Sequence, residues 1–122
     1  MAFFPFMIQM QDKLCVIGGG GKVAYRKVSM MLSFGARVTV IAPKIGDELQ
    51  KIESKQDALL LVQRPFEDGD IEGADVVIMA TNDSEVNSHI AAICKGKRIL
   101  VNVVDVKKDC GFYFPAIIKQ DD

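Results

Sequence analysis

Leu14-Cys15-Val16-Ile17, followed by Gly18-Gly19-Gly20-Gly21 and then Lys22-Val23-Ala24, is the stretch that decides the fold. Four apolar residues in a row read as a short strand buried on both faces, the habit of a parallel sheet. Gly19 to Ala24 fit the pattern G-x-G-x-x-A. In that pattern Gly19 permits a tight turn, Gly21 lets a pyrophosphate approach the backbone, and the small Ala24 lets helix and strand pack closely. The free N–H groups and positive dipole end of a helix starting at Lys22 then face the phosphates. Flexible loops also collect glycine. Here, however, the run follows the first strand and opens the first helix, which is the context that phosphate binding requires.

Working outward, Ala24, Val28, Met31 and Leu32 share one face of a helix predicted over Lys22 to Phe34. Gly35 stands where a left-handed residue would stop it. Arg37 to Ala42 reads as a second strand ended by Pro43, and Ile45, Leu49 and Ile52 mark a shorter helix. Leu59 to Val62 and Asp75 to Ala80 give two further strands, joined by the acidic run Glu67 to Glu72, read as a solvated loop. With Asn82 as N-cap, Glu85 falls at N3 and can reach back in a capping box. The helix behind it buries Val86, Ile90, Ile93 and Cys94; Ile99 to Val101 is a fifth strand, and Phe112 to Ile118 a final apolar extended segment. Alternating strands and helices predict an α/β fold: one Rossmann-like, doubly wound parallel sheet of about five strands plus the C-terminal extended segment.

A chain of 122 residues reads as one domain over residues 1–122. Its 49% apolar and 25% charged content is ordinary for a globular protein. A net charge of −1 gives no overall electrostatic case for nucleic acid or an anionic membrane. Cys15, Cys94 and Cys110 are an odd count without a CxxC pair, so neither a disulfide framework nor a metal site is readable, and a reduced, cytoplasmic setting fits. The apolar start, Phe3-Phe4-Pro5-Phe6-Met7-Ile8, has no basic leader and is too short to span a bilayer. It is expected to pack against the fold.

The acid that usually holds the adenosine ribose, about 20 residues after the glycines, would fall near Ile41 or Ala42. Neither can serve. Pro43 and Lys44 follow, so backbone groups or Lys44 must hold the ribose, and the residues themselves leave NAD or NADP open. Ligands of such sheets lie beyond the carboxyl ends of the strands. The polar residues there are Pro43-Lys44, Thr81-Asn82-Asp83 and Asn102-Val103-Val104-Asp105. Hydride transfer is the cofactor's chemistry, so the protein must supply placement and a proton acceptor. Asp105 is the best-placed titratable group and Asp83 the second, although position alone makes Asp105 a surface-turn carboxylate. His89, the sole histidine, sits in the second turn of its helix and reads as a structural or surface residue. Asp109-Cys110 has no further ligand nearby, and Phe112 to Phe114 read as core or interface. Lys95, Lys97, Arg98, Lys107 and Lys108 are solvated faces by default, though either cluster suits a carboxylate-rich substrate.

Phe4-Pro5-Phe6, Ile17 to Lys27, Gly35 to Pro43, Arg64-Pro65-Phe66, Ala80 to Asp83, Val86-Asn87, Val101 to Asp105 and Phe112 to Ile117 occur in that order. Together they resemble the N-terminal domain of the siroheme synthase, or precorrin-2 dehydrogenase, family. The resemblance implies NAD-dependent oxidation of precorrin-2 to sirohydrochlorin, in siroheme or cobalamin synthesis. It implies Asp105 as acid–base residue and cofactor contacts at Lys22, Val23, Pro43 and Lys44. With Gly19, Gly20 and Gly21 from the glycine pattern and Thr81, Asn82 and Asn102 from the strand ends, these make up the expected cofactor-binding set. It also implies a tetrapyrrole partner, ferrous or cobaltous ion as the substrate of an accompanying chelatase, and a homodimer. Two departures stand out. Gly18 replaces an apolar residue before the glycines, which predicts a looser turn. The family's serine- and glycine-rich stretch and dimerising helical part do not follow Asp122. A reading from another class is a non-catalytic NAD(H)-binding sensor, of the kind attached to ion channels, which has no physical need for Asn102 to Asp105.

Overall fold

The computed structural model describes residues 2–114. Five strands, β1 (Leu14–Gly18), β2 (Arg37–Ala42), β3 (Leu59–Gln63), β4 (Val76–Met79) and β5 (Leu100–Val103), form one sheet. Every pairing is parallel, and the order is β3-β2-β1-β4-β5. Three helices, α1 (Lys22–Ser33), α2 (Asp47–Glu53) and α3 (Ser84–Gly96), connect the strands. This is the doubly wound α/β fold that the alternation predicts.

The two faces are separated by the period-2 alternation of the strands. Cys15, Ile17, Val38, Val40, Val76 and Ile78 meet Ala24, Val28 and Met31 of α1 and Leu49 of α2. Val16, Ile41, Val77, Met79, Val101 and Val103 meet Ile90, Ala91 and Cys94 of α3 on the other side. Burial on both faces explains the unbroken apolar runs of β1 and β4. Each fully buried Ile or Val contributes roughly 1.5–3 kcal/mol. Burial also pushes the thiols up, Cys15 to about 12 and Cys94 to about 11, so neither is a nucleophile at neutral pH.

Gly35 ends α1 as expected. Its φ is +85°, its N–H donates to the Leu32 carbonyl, and that of Ala36 donates to Met31, the paired bonds of a Schellman stop.

Several expectations need correction. Gly18 is a regular, buried residue of β1, paired with Ile41 and Met79, and loosens nothing. A Cβ there would meet the Met79 thioether at 2.9 Å and the Phe66 ring at 3.0 Å, so two bulky neighbours occupy the space that an apolar side chain would fill. The N-cap of α3 is Asp83, not Asn82: its carboxylate accepts from the N–H groups of Glu85 and Val86. Glu85 is therefore at N2, too early for a capping box. The N-terminal arm does not pack down, because helices already cover both faces of the sheet. Phe3, Phe4, Phe6 and Met7 are 66–98% exposed, although Phe3 meets Tyr113 edge-on at 5.1 Å. Of the C-terminal segment, Phe112 to Phe114 are not strand; residues 115–118 lie outside the described residues.

The acidic connection is structured rather than merely solvated. Residues Asp68–Ile71 form a short 3-10 helix closed by a Glu67–Asp70 capping box, and Ile71 is fully buried. Arg64 donates to both Asp70 carboxylate oxygens, at 2.8 and 2.6 Å. That hydrogen bond holds the Asp70 carboxyl below its usual range. A carboxyl lowered on folding stabilises the protein above its ordinary value near 4 and loses that contribution as pH falls through the lower folded one. Asp70→Asn should therefore melt several degrees below the parent at pH 7, with the gap closing as pH approaches 3. A gap independent of pH in thermal denaturation would contradict this assignment.

Candidate functional site

Strand order reverses between β1 and β4, so a crevice opens beyond their carboxyl ends, where such sheets bind ligands. There the structure has a cleft of about 710 Å³ lined by residues 19–24, 42–46 and 80–83. Its geometry is set by backbone approaching backbone. A Cβ on Gly19, whose φ is +124°, would stand 2.5 Å from the Ala80 carbonyl oxygen. One on Gly20 would collide with the Lys44 carbonyl oxygen. The Gly20 carbonyl accepts from Gly46 N–H at 2.9 Å, tying the glycine loop to the loop after β2. Gly21 differs, because a Cβ there meets nothing within 4 Å.

The cleft is suited to an anion. Gly21 caps α1 without a side-chain hydrogen bond, and no acid lies in the first turn, so the first N–H groups of α1 are open to a ligand. Lys22 and Lys44 line the cleft, and Asp83, its only lining carboxylate among the described residues, is turned to cap α3. These features fit a diphosphate laid along Gly20, Gly21 and the start of α1.

The cleft brings together Gly19, Gly20, Gly21, Lys22, Val23, Pro43, Lys44, Thr81 and Asn82. Thr81 presents less than its residue type promises. Its hydroxyl donates to Asn87 Oδ1 and accepts from Asp83 N–H. Asn87 Nδ2 returns a bond to the Thr81 carbonyl, at 3.1 Å. Asn87 is buried within α3 and locks the turn that forms one wall of the cleft. Its site role could not be read from its helical position; a polar residue on an otherwise apolar helix face was the available signal.

Asn102 and Asp105 are not part of that cleft. They line a second hollow of about 280 Å³ at the same carboxyl edge, with Lys27, Cys110, Tyr113 and Phe114. Asn102 lies within β5 and is buried, its Nδ2 donating to the Phe112 carbonyl at 3.0 Å. Cys110 Sγ accepts from Val103 N–H and lies 3.3 Å from the Val103 and Val106 carbonyl oxygens. This pins the turn that carries Asp105, which is exposed with φ +64°. His89 is exposed and faces Asp68 at 3.0 Å, outside both cavities. Among the described residues, no three His, Cys, Asp or Glu side chains group to hold a metal, and no helix is long and apolar enough to cross a membrane.

A parallel sheet in this order, with a glycine-lined, cation-flanked cleft at its switch point, defines a dinucleotide-binding α/β domain. A family model described as "Putative NAD(P)-binding" matches residues 6–116, and the chain belongs to that family. The chain is 42% identical over 118 residues to siroheme synthase of Thioalkalivibrio sulfidiphilus, covering 97% of this chain and 24% of that protein. It is 41% identical over 121 residues to siroheme synthase of Nitrosospira multiformis, covering 97% and 26%. Among solved structures, "SirC, precorrin-2 dehydrogenase" superposes with a TM-score of 0.82 at 26% identity, covering 96% of this chain and 57% of that one. The chain thus spans about a quarter of those siroheme synthases and just over half of the solved dehydrogenase.

Gly20 and Gly21 should separate folding from binding. Gly20→Ala forces the loop after β2 away and should cost about 1–3 kcal/mol of stability. Gly21→Ala, a poorer cap, should cost no more than about 1 kcal/mol, yet weaken NAD binding by about tenfold or more because its methyl enters open space. Calorimetric titration and thermal melts check both; full NAD affinity in Gly21→Ala would show that the diphosphate does not pass there.

Proposed function

We propose that the chain is the nicotinamide-nucleotide-binding part of a dehydrogenase that oxidises precorrin-2 to sirohydrochlorin. The observation that carries this reading is the shared carboxyl edge of the sheet. It bears a cleft shaped for a dinucleotide and, beside it, a hollow walled by the Asp105 carboxylate. The relatives named above supply the substrate class.

NAD, when bound, supplies the hydride acceptor. Gly20, Gly21 and the α1 N-terminus hold its diphosphate, while Lys44 and the backbone after β2 hold the adenosine ribose. Thr81 and Asn82 border the path toward β5. The cofactor reads as NAD rather than NADP on the family resemblance, since Lys44 alone would tolerate a 2′-phosphate. Asp105 takes the proton that the macrocycle releases on oxidation. Being exposed on a turn pinned by Cys110, it can exchange that proton with water. Insertion of ferrous or cobaltous ion, the second activity that the resemblance implies, would draw on the same carboxylate. So would a cytoplasmic homodimer be the natural setting for this reading.

Turnover of precorrin-2 with NAD, followed as NADH formation, tests the assignment. Asp105→Asn is the informative variant, because asparagine tolerates a positive φ and keeps the turn while removing the proton acceptor. Its turnover should fall about a hundredfold with NAD affinity retained. Unchanged turnover would remove Asp105 from the reaction, and NAD binding without any turnover of the parent would favour the sensor.

A further inference from the structure

The second hollow contains a cation that nothing described so far employs. Lys27 lies on α1, half-buried, with its ammonium 4.2 Å from the centroid of the Phe114 ring. Among the described residues it forms no ion pair, whereas Arg64 and Lys97 each have a carboxylate within 4 Å. Asp105 lines the same hollow, yet the two opposite charges do not meet. An aromatic face attracts an ammonium but leaves its N–H donors without acceptors. The Phe114 ring and the Asp105 carboxylate, which has no ion-pair partner among the described residues, border the same hollow of about 280 Å³, which has room for a further group.

We propose that Lys27 holds a carboxylate arm of the substrate in the hollow that it shares with Asp105, and so sets which part of the macrocycle faces that residue. The inference rests on the proposed function and extends it to a specificity-determining contact. The ligand chemistry follows from the wall: an anion for the ammonium, a flat apolar body for Tyr113 and Phe114, and a releasable proton toward Asp105. A tetrapyrrole bearing acetate and propionate arms has all three. α1 thereby serves both cavities, its first turn facing the cleft and its second the hollow.

Lys27→Met is the direct test, since methionine keeps an apolar stem against Phe114 and removes only the charge. Binding of sirohydrochlorin and of its methyl ester is followed by fluorescence quenching, with NAD affinity and melting temperature measured alongside. Lys27→Met should weaken sirohydrochlorin binding about tenfold or more and leave NAD affinity unchanged. Lys27→Arg should restore most of the loss, and the ester should bind parent and Lys27→Met equally. If the parent binds sirohydrochlorin and Lys27→Met binds it as tightly, the role of Lys27 is overturned while the dehydrogenase reading stands. If the parent does not bind sirohydrochlorin at all, both are overturned.

Discussion

The close approach of three backbone segments at the end of β1 is the constraint on which the rest depends. Gly19 lies against the carbonyl of Ala80, and Gly20 against that of Lys44. A methyl group on either would push apart the loops after β4 and β2. Because β1 is the central strand, both neighbours lean on it, and the crevice between β1 and β4 takes its width from residues without side chains. The bond from Gly46 N–H to the Gly20 carbonyl then holds the loop after β2 in place. Gly21, by contrast, faces open space, which is what a ligand backbone would need.

Much of this was legible before any coordinates. The apolar runs, the glycine pattern and Gly35 each encode a local backbone requirement, so β1, α1 and β2 emerge within a residue of their expected bounds. The start of α3 was harder. Asn82 and Asp83 are both good caps, and the bonds from the Glu85 and Val86 N–H groups to the Asp83 carboxylate place the helix start one residue later. The acidic run hid an ion pair because Arg64 and Asp70 meet only when the chain curls into a 3-10 helix. The N-terminal arm stays exposed for a different reason. Apolarity shows a tendency to be buried, and not whether any uncovered surface remains to receive it.

The candidate site divides along the same line. Residues after β1, β2 and β4 converge in one cleft because those strands are adjacent at the switch point. β5 is an edge strand, one strand beyond β4, so Asn102 and Asp105 border a neighbouring hollow instead. Sequence spacing identifies strand ends, but strand order decides which ends share a cavity. A lysine on an amphipathic helix reads as solvated from its spacing, and only the fold sets the Lys27 ammonium over the Phe114 ring.

A nicotinamide nucleotide anchored on the glycine loop must extend far enough across the carboxyl edge to reach the Asp105 turn. Backbone amide chemical shifts followed by nuclear magnetic resonance during NAD titration test this in one experiment. Shifts are expected at Gly20, Gly21 and Lys22 together with Asn82 and the 104–106 turn, all saturating at one concentration. Shifts confined to the glycine loop and the residues after β2, with the 104–106 turn silent at saturation, would contradict it.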